Sequence, residues 1–214
     1  MKMSAGLDQL LADNPRLWRG RSAYRHAAHY LTTGYGELDA LLPGRGWPAR
    51  ALTELVAPHW GVGELRLLTP LMRTLTERGR WLLWVCPPYM PYAPALLRAN
   101  VDTRYLAVIA RTDSATDKHW SIEKALQSGA FGLVLGWAQY FSHAVLRRLQ
   151  LAAEKGACPG VLLCNSETRS SPAALRLKLS ASTTGIAVNV LKARGGFSQG
   201  KVVINGHIPE PAKV

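Results

Sequence analysis

The scarcities of this chain narrow the field first. Its 214 residues include three cysteines, Cys86, Cys158 and Cys164. An odd number with no C-x-x-C spacing excludes a closed disulfide framework and a zinc ribbon. Acidic residues are few: 14 Asp and Glu stand against 26 Lys and Arg, for a formal charge of +12. Charged residues make up only 19% of the chain, yet 48% is apolar, which excludes wholesale disorder. No apolar run reaches the ~20 residues that a membrane-spanning helix needs. The uncharged stretch 125–146 contains Gly129, Gly132, Gly136, Gln139 and His143, and it reads as a helix end, a buried strand and a turn. Residues 1–21 carry early acids and no continuous apolar core, which fits neither a signal nor a transit peptide. A reduced, cytosolic protein is the expectation.

The length predicts one domain with a short appendage. Residues 1–30 read as a helical arm and linker: Leu7, Leu10 and Leu11 fall at helical spacing, Ser4 is a candidate cap, and Asn14-Pro15 is a stop. Residues 31–214 read as the core domain. From Leu52 onward, short apolar runs (Leu52–Ala57, Trp81–Cys86, Tyr105–Ile109, Gly132–Leu135, Val161–Cys164) alternate with helical segments at 63–77, 93–99, 117–128 and 142–155. That rhythm predicts βαβ units and a mostly parallel sheet with helices on both faces. Pro70 should kink the first of those helices. After Asn165 the segments 174–180, 186–191 and 201–205 leave no room for helices between them, so they are expected as antiparallel additions to one edge.

From residue 141 onward ten bases face three acids. Such an excess suits DNA or an acidic protein partner, or serves solubility alone. Arg169, Arg176, Lys178, Lys192, Arg194 and Lys201 are the candidate contacts.

In a doubly wound sheet, chemistry concentrates in the turn after the first strand, where backbone N–H groups and a helix N-terminus converge. Here that turn is Ala57-Pro58-His59-Trp60-Gly61-Val62-Gly63-Glu64-Leu65. Against the phosphate-binding pattern GxxxxGK[ST], Pro58 replaces the first glycine, Gly61 lies within the loop and Gly63 keeps the second glycine. Glu64 replaces the lysine and Leu65 the hydroxyl. A carboxylate about 4 Å from a phosphate oxygen repels it by roughly 4 kcal/mol at an effective dielectric of ~20. Nucleotide hydrolysis, and with it any nucleotide cofactor, is not expected.

Several segments together carry a resemblance: LWRGR (17–21), TGYGELDALLPGRGWPARALTEL (33–55), GVGELRLLTPLM (61–72), PPYMPYAPAL (87–96) and VLKARGG (190–196). The order and spacing of the second segment resemble the lead-in to the P-loop of RecA-like recombinases, and the whole set resembles the ImuA family. The resemblance implies a RecA-like three-layer α/β fold and a non-catalytic adaptor of the SOS response in translesion DNA synthesis. It also implies partners: ImuB, RecA and an error-prone DNA polymerase; the weak DNA contact is expected from the basic C-terminal third instead, and self-association is left open. In the RecA pattern a water-activating Glu would fall near Pro88, and a metal-binding acid where Gly136 stands. GRWLLWVCP (79–87) and LVLGW (133–137) are shared in flavour with SulA, which implies the alternative, a septation inhibitor that binds FtsZ.

Other residues admit two readings. Tyr89, Pro91 and Tyr92 form either a platform for a base or peptide, or a rigid cover over the nucleotide position. Trp18, with Arg19 and Arg21, and Trp60 lie in polar or loop contexts suited to a binding hot spot. Trp81 and Trp84 sit at odd separation on a strand and should face opposite sides. The six histidines are scattered without clustered acids or cysteines, so no metal site is expected.

Overall fold

The computed structural model describes residues 30–167, 170–195 and 200–205. The N-terminal arm up to residue 29, with Trp18, Arg19 and Arg21, lies outside the described residues, and so does Arg169.

Two short strands, β1 (Tyr30–Leu31) and β2 (Trp47–Pro48), pair antiparallel and flank helix α1 (Gly36–Leu41). The main sheet contains β3 (Leu52–Val56), β4 (Trp81–Val85), β5 (Leu106–Ile109), β6 (Phe131–Ala138) and β7 (Gly160–Cys164), followed by β8 (Leu175–Ser182), β9 (Gly185–Ala193) and β10 (Lys201–Asn205). Its order is β10-β9-β8-β3-β7-β6-β4-β5. Helices α2 (Glu64–Glu77), α3 (Ala93–Arg98), α4 (Ala115–Ser128) and α5 (His143–Gly156) fill the crossovers. The result is a mixed α/β fold with a mostly parallel eight-stranded sheet.

The near-continuous apolar runs of β6 and β7 follow from burial on both faces, and β3, though equally buried, carries Thr53 and Glu54. On one face Leu55, Leu82, Trp84, Leu133 and Leu135 join Leu67, Leu68, Leu71 and Met72 of α2. On the other, Leu52, Val56, Leu83, Val134 and Leu162 join Ile122 and Leu126 of α4 and Leu146 and Leu149 of α5. The two outer helices are capped at their starts: Ser114 accepts from the Asp117 amide and Ser142 from the Val145 amide. Trp84 is buried, whereas Trp81, the first residue of β4, is 45% exposed and stands edge-on to Tyr105. The uncharged stretch 125–146 resolves into the end of α4, β6, a turn and the start of α5.

One expectation fails. The strand after Asn165 is not antiparallel: β8 runs parallel to β3, with Thr53 beside Leu175 and Val56 beside Lys178. The cause is segment 165–174, which returns the chain to the amino end of the sheet without a helix among its described residues. Ala173 is buried there with the α4 and α5 side of the core. β9 and β10 are antiparallel, as expected.

Candidate partner-binding site

All parallel strands end at one edge of the sheet, and the loops after β3, β4, β6 and β7 gather there. Backbone and side-chain bonds fix three of them, those after β3, β6 and β7, to one another. The Asn165 side chain donates to the Ala57 carbonyl at 3.1 Å, and the Asn165 and Ser166 amides both donate to the Gln139 carbonyl at 3.2 Å. Between the loops lies an open groove of about 410 Å³ lined by Pro58, His59, Trp60, Tyr89, Gln139, Asn165 and Ser166. This is the edge at which open α/β sheets bind their ligands.

The β3–α2 turn forms one wall. Gly61 and Gly63 have φ of +90° and +110°, a region that favours glycine. A side chain at Gly63 would also meet Ile186 Cδ1 at 2.4 Å. The carboxylate of Glu64 turns back into this turn. Its Oε1 accepts from the Gly61 amide at 2.8 Å and its Oε2 from the Gly63 amide at 3.1 Å. The amides a phosphate would use are thus engaged by the chain itself. Leu65 is half-buried and packs on the core, and Trp60 does the same while lining the groove.

The opposite wall is the β4–α3 loop. Tyr89, Met90 and Tyr92 are 74%, 73% and 66% exposed, so the loop is no closed cover. Tyr140, in the loop after the neighbouring strand β6, is also exposed. Pro58, Trp60 and Tyr89 are therefore brought together, with Tyr92 three residues on. The sequence did not single out His59, Met90, Gln139, Asn165 or Ser166. Their one legible signal is position just past the carboxyl end of a strand.

The basic candidates share a region but are mostly engaged. Lys178, Asn189 and Lys201 form a cross-strand row, and Arg176 lies beside Lys192 in the next. Arg176 is buried against Glu54 at 2.9 Å, Lys178 pairs with Glu167 at 2.7 Å, and Arg194 pairs with Glu154 at 2.8 Å. The Lys192 ammonium donates to the Ser171 carbonyl at 2.6 Å. Burial, then Arg194 and Arg176, lower the Lys192 pKa. Lys201 remains exposed. Much of the local charge thus holds segment 165–174 and α5 to the extension.

Motif residues outside the groove have packing roles. The Thr33 amide and the Thr32 hydroxyl donate to the Asp39 carboxylate at 2.9 and 2.6 Å, closing the lead-in turn. Gly136 lies under α4, where a Cβ would meet Ile122 Cδ1 at 2.5 Å. Among the described residues no three His, Cys, Asp or Glu are grouped to hold a metal, and no helix is long and apolar enough to cross a membrane.

The family model described as "Cell division inhibitor SulA" matches residues 54–160, half of the chain. The chain belongs to the SulA family. SulA of Erwinia pyrifoliae is 33% identical over 126 residues, covering 58% of this chain and 73% of the relative. SulA of Edwardsiella piscicida is 33% identical over 108 residues, covering 50% and 64%, and that of Photorhabdus laumondii 35% over 98 residues, covering 46% and 55%. The chain thus spans 64% and 55% of the lengths of the last two relatives. The crystal structure of SulA from Pseudomonas aeruginosa aligns over 53% of this chain and 98% of that one, with 23% identity and a TM-score of 0.45.

Membership in the SulA family corrects the ImuA reading. The translesion adaptor working with ImuB, RecA and an error-prone polymerase is overturned, because the matching family and relatives are cell division inhibitors. LWRGR, the VLKARGG segment and nearly all of the lead-in at 33–55 lie outside the matched residues 54–160, whereas GVGELRLLTPLM (61–72) and PPYMPYAPAL (87–96) lie inside them and so belong to the segment that matches SulA. The family match lends no support to a worn ATPase site in the loop, whose amides are closed by Glu64. Of the groove residues, Pro58, His59, Trp60, Tyr89 and Gln139 fall inside the matched segment, and Asn165 and Ser166 lie just beyond it.

Proposed function

We propose that this chain is a SulA-type inhibitor of cell division that binds FtsZ through the loops at the carboxyl edge of its sheet, without catalysing a reaction. The observation that carries the reading is the exposed run Tyr89, Met90 and Tyr92 beside the groove, inside the segment that matches the family. Aromatic side chains held out by a rigid scaffold lose little entropy on binding, and a few such residues dominate an interface. Glu64 supports the non-catalytic part, since the loop amides already have a partner. In the same reading the fold is RecA-like in outline, supported by an interior first strand whose glycine-bearing turn leads directly into a helix.

The test is sedimentation of FtsZ polymer with increasing amounts of the full chain. A binder of subunits lowers the pellet in proportion to the amount added, whereas an unchanged pellet at several-fold excess rejects the proposal.

A further inference from the structure

We propose that Glu64 is a positioning residue whose carboxylate serves as the built-in anion of the β3–α2 turn, locking the wall that presents His59 and Trp60 to the groove. Successive backbone N–H groups in a turn with positive-φ residues form a concave nest for an anion. Here Gly61 and Gly63 supply the positive-φ positions, and both amides point at one side chain, Glu64, which is 5% exposed. Both carboxylate oxygens are used, so charge and two-fold acceptance are each required. A glutamine keeps the shape but presents an amide N–H₂ to one of the two donors, and an aspartate is one methylene short. Trp60 and Val62 pack on the core and Asn165 holds the Ala57 carbonyl, but the polar contact at the tip of the loop comes from Glu64. Pro58, His59 and Gly61 are exposed, and the amides of Gly61 and Gly63 are tied to the carboxylate instead of to a neighbouring strand. Helix α2 begins at Glu64 itself, so the same side chain fixes the turn and sits at the positive helix end.

The part of this inference that concerns partner binding rests on the groove being the FtsZ contact. The part that concerns the lock does not, and the experiment separates them. Uniformly 15N-labelled full-length wild type, E64Q and E64A would be compared by the glycine amide resonances of residues 61 and 63 and by FtsZ sedimentation, with and without added acetate. In the wild type both glycine amide protons should lie downfield. In E64Q and E64A they should move upfield, and the concentration needed to deplete FtsZ polymer should rise on the order of tenfold, the scale of a lost charge-assisted hydrogen bond. Acetate should restore both readouts in E64A, where the nest is vacated, and neither in E64Q, where the side chain still fills it. A merely structural role would not be rescued by a small anion. Unmoved glycine resonances in E64A, or moved resonances that acetate fails to restore, overturn the lock. A lock that behaves as described with full potency retained in both variants overturns its link to binding. A wild type without effect on FtsZ rejects the proposed function and, with it, that link, while the glycine shifts and their rescue still decide the lock.

Discussion

The Tyr35 hydroxyl donates to the carbonyl of Arg66 at 3.0 Å, the carbonyl left without a helical partner because Pro70, four residues on, has no N–H. The expected defect of a proline inside α2 is thereby answered from another element. Gly34, at φ +84°, lies so close that a Cβ there would meet Pro70 Cβ at 2.4 Å. Tyr35→Phe should cost about 0.5–1.5 kcal/mol, the net worth of one partly buried hydrogen bond, read from urea unfolding. Pro70→Ala restores the N–H, so the double variant should be more stable than Tyr35→Phe alone. Equal stability of the two would show that the carbonyl is otherwise satisfied.

Burial raises the Tyr35 pKa, against the opposing pull of Arg66 and Arg73. A folded value above the unfolded one of about 10 means that the neutral phenol contributes stability fully below about pH 10. That contribution is lost as the pH rises through the folded value. Unfolding midpoints from pH 9 upward should therefore fall more steeply for the wild type than for Tyr35→Phe, and parallel curves would contradict this.

Glu54 and Arg176 form an ion pair at the β3–β8 seam, 1% and 9% exposed in their side chains. Glu54→Ala should cost about 3–5 kcal/mol, because it removes the carboxylate that the buried Arg176 guanidinium meets at 2.9 Å. Replacing both residues by Met should cost far less than the single change. A calorimetric double-mutant cycle checks this, and a cost near zero for Glu54→Ala would refute it.

Burial pushes the thiols of Cys158 and Cys164 up to about 12, and Glu54 adds to the shift at Cys164. Neither supplies thiolate at neutral pH, whereas Cys86 is half-exposed. A thiol-reactive chromophore should thus titrate one cysteine in the native chain and all three after denaturation. Fast reaction of all three would mean that the core opens readily.

Tyr89→Ala and Tyr92→Ala should leave stability within about 0.5 kcal/mol, since both side chains are mainly solvated. FtsZ depletion should weaken by about 2 kcal/mol or more for at least one of them if they are anchors. Unfolding curves measured beside the sedimentation assay separate the two effects.

The strands of the main sheet and helices α2 to α5 were legible because buried strands read as short apolar blocks with helical segments between them, whereas β1, α1 and β2 are too short to show a period. The pairing of β8 was not, since periodicity reports which face is buried and says nothing about which strand lies alongside. Leu175 looks the same whether its neighbour runs with it or against it. Glu64 was legible as the wrong charge for phosphate, but its turn back onto Gly61 and Gly63 depends on two positive φ values that residue identity only permits. Asn165 and Gln139 gave no signal because they meet across strands that only the sheet order brings together. Gly136 read as a missing acid, when it makes room for Ile122.

The place of β3 also governs when the molecule can form. Its two neighbours, β7 and β8, are synthesised more than a hundred residues after it, and Glu54 waits 122 positions for Arg176. While the chain emerges, the future centre of the sheet is a bare apolar strand with nothing to pair with. Local helices can form early, but the sheet closes only when the last third of the chain arrives, the order of events expected to make folding slow. A fragment ending before β7 would leave β3 with both edges open. Such a chain is exposed to aggregation.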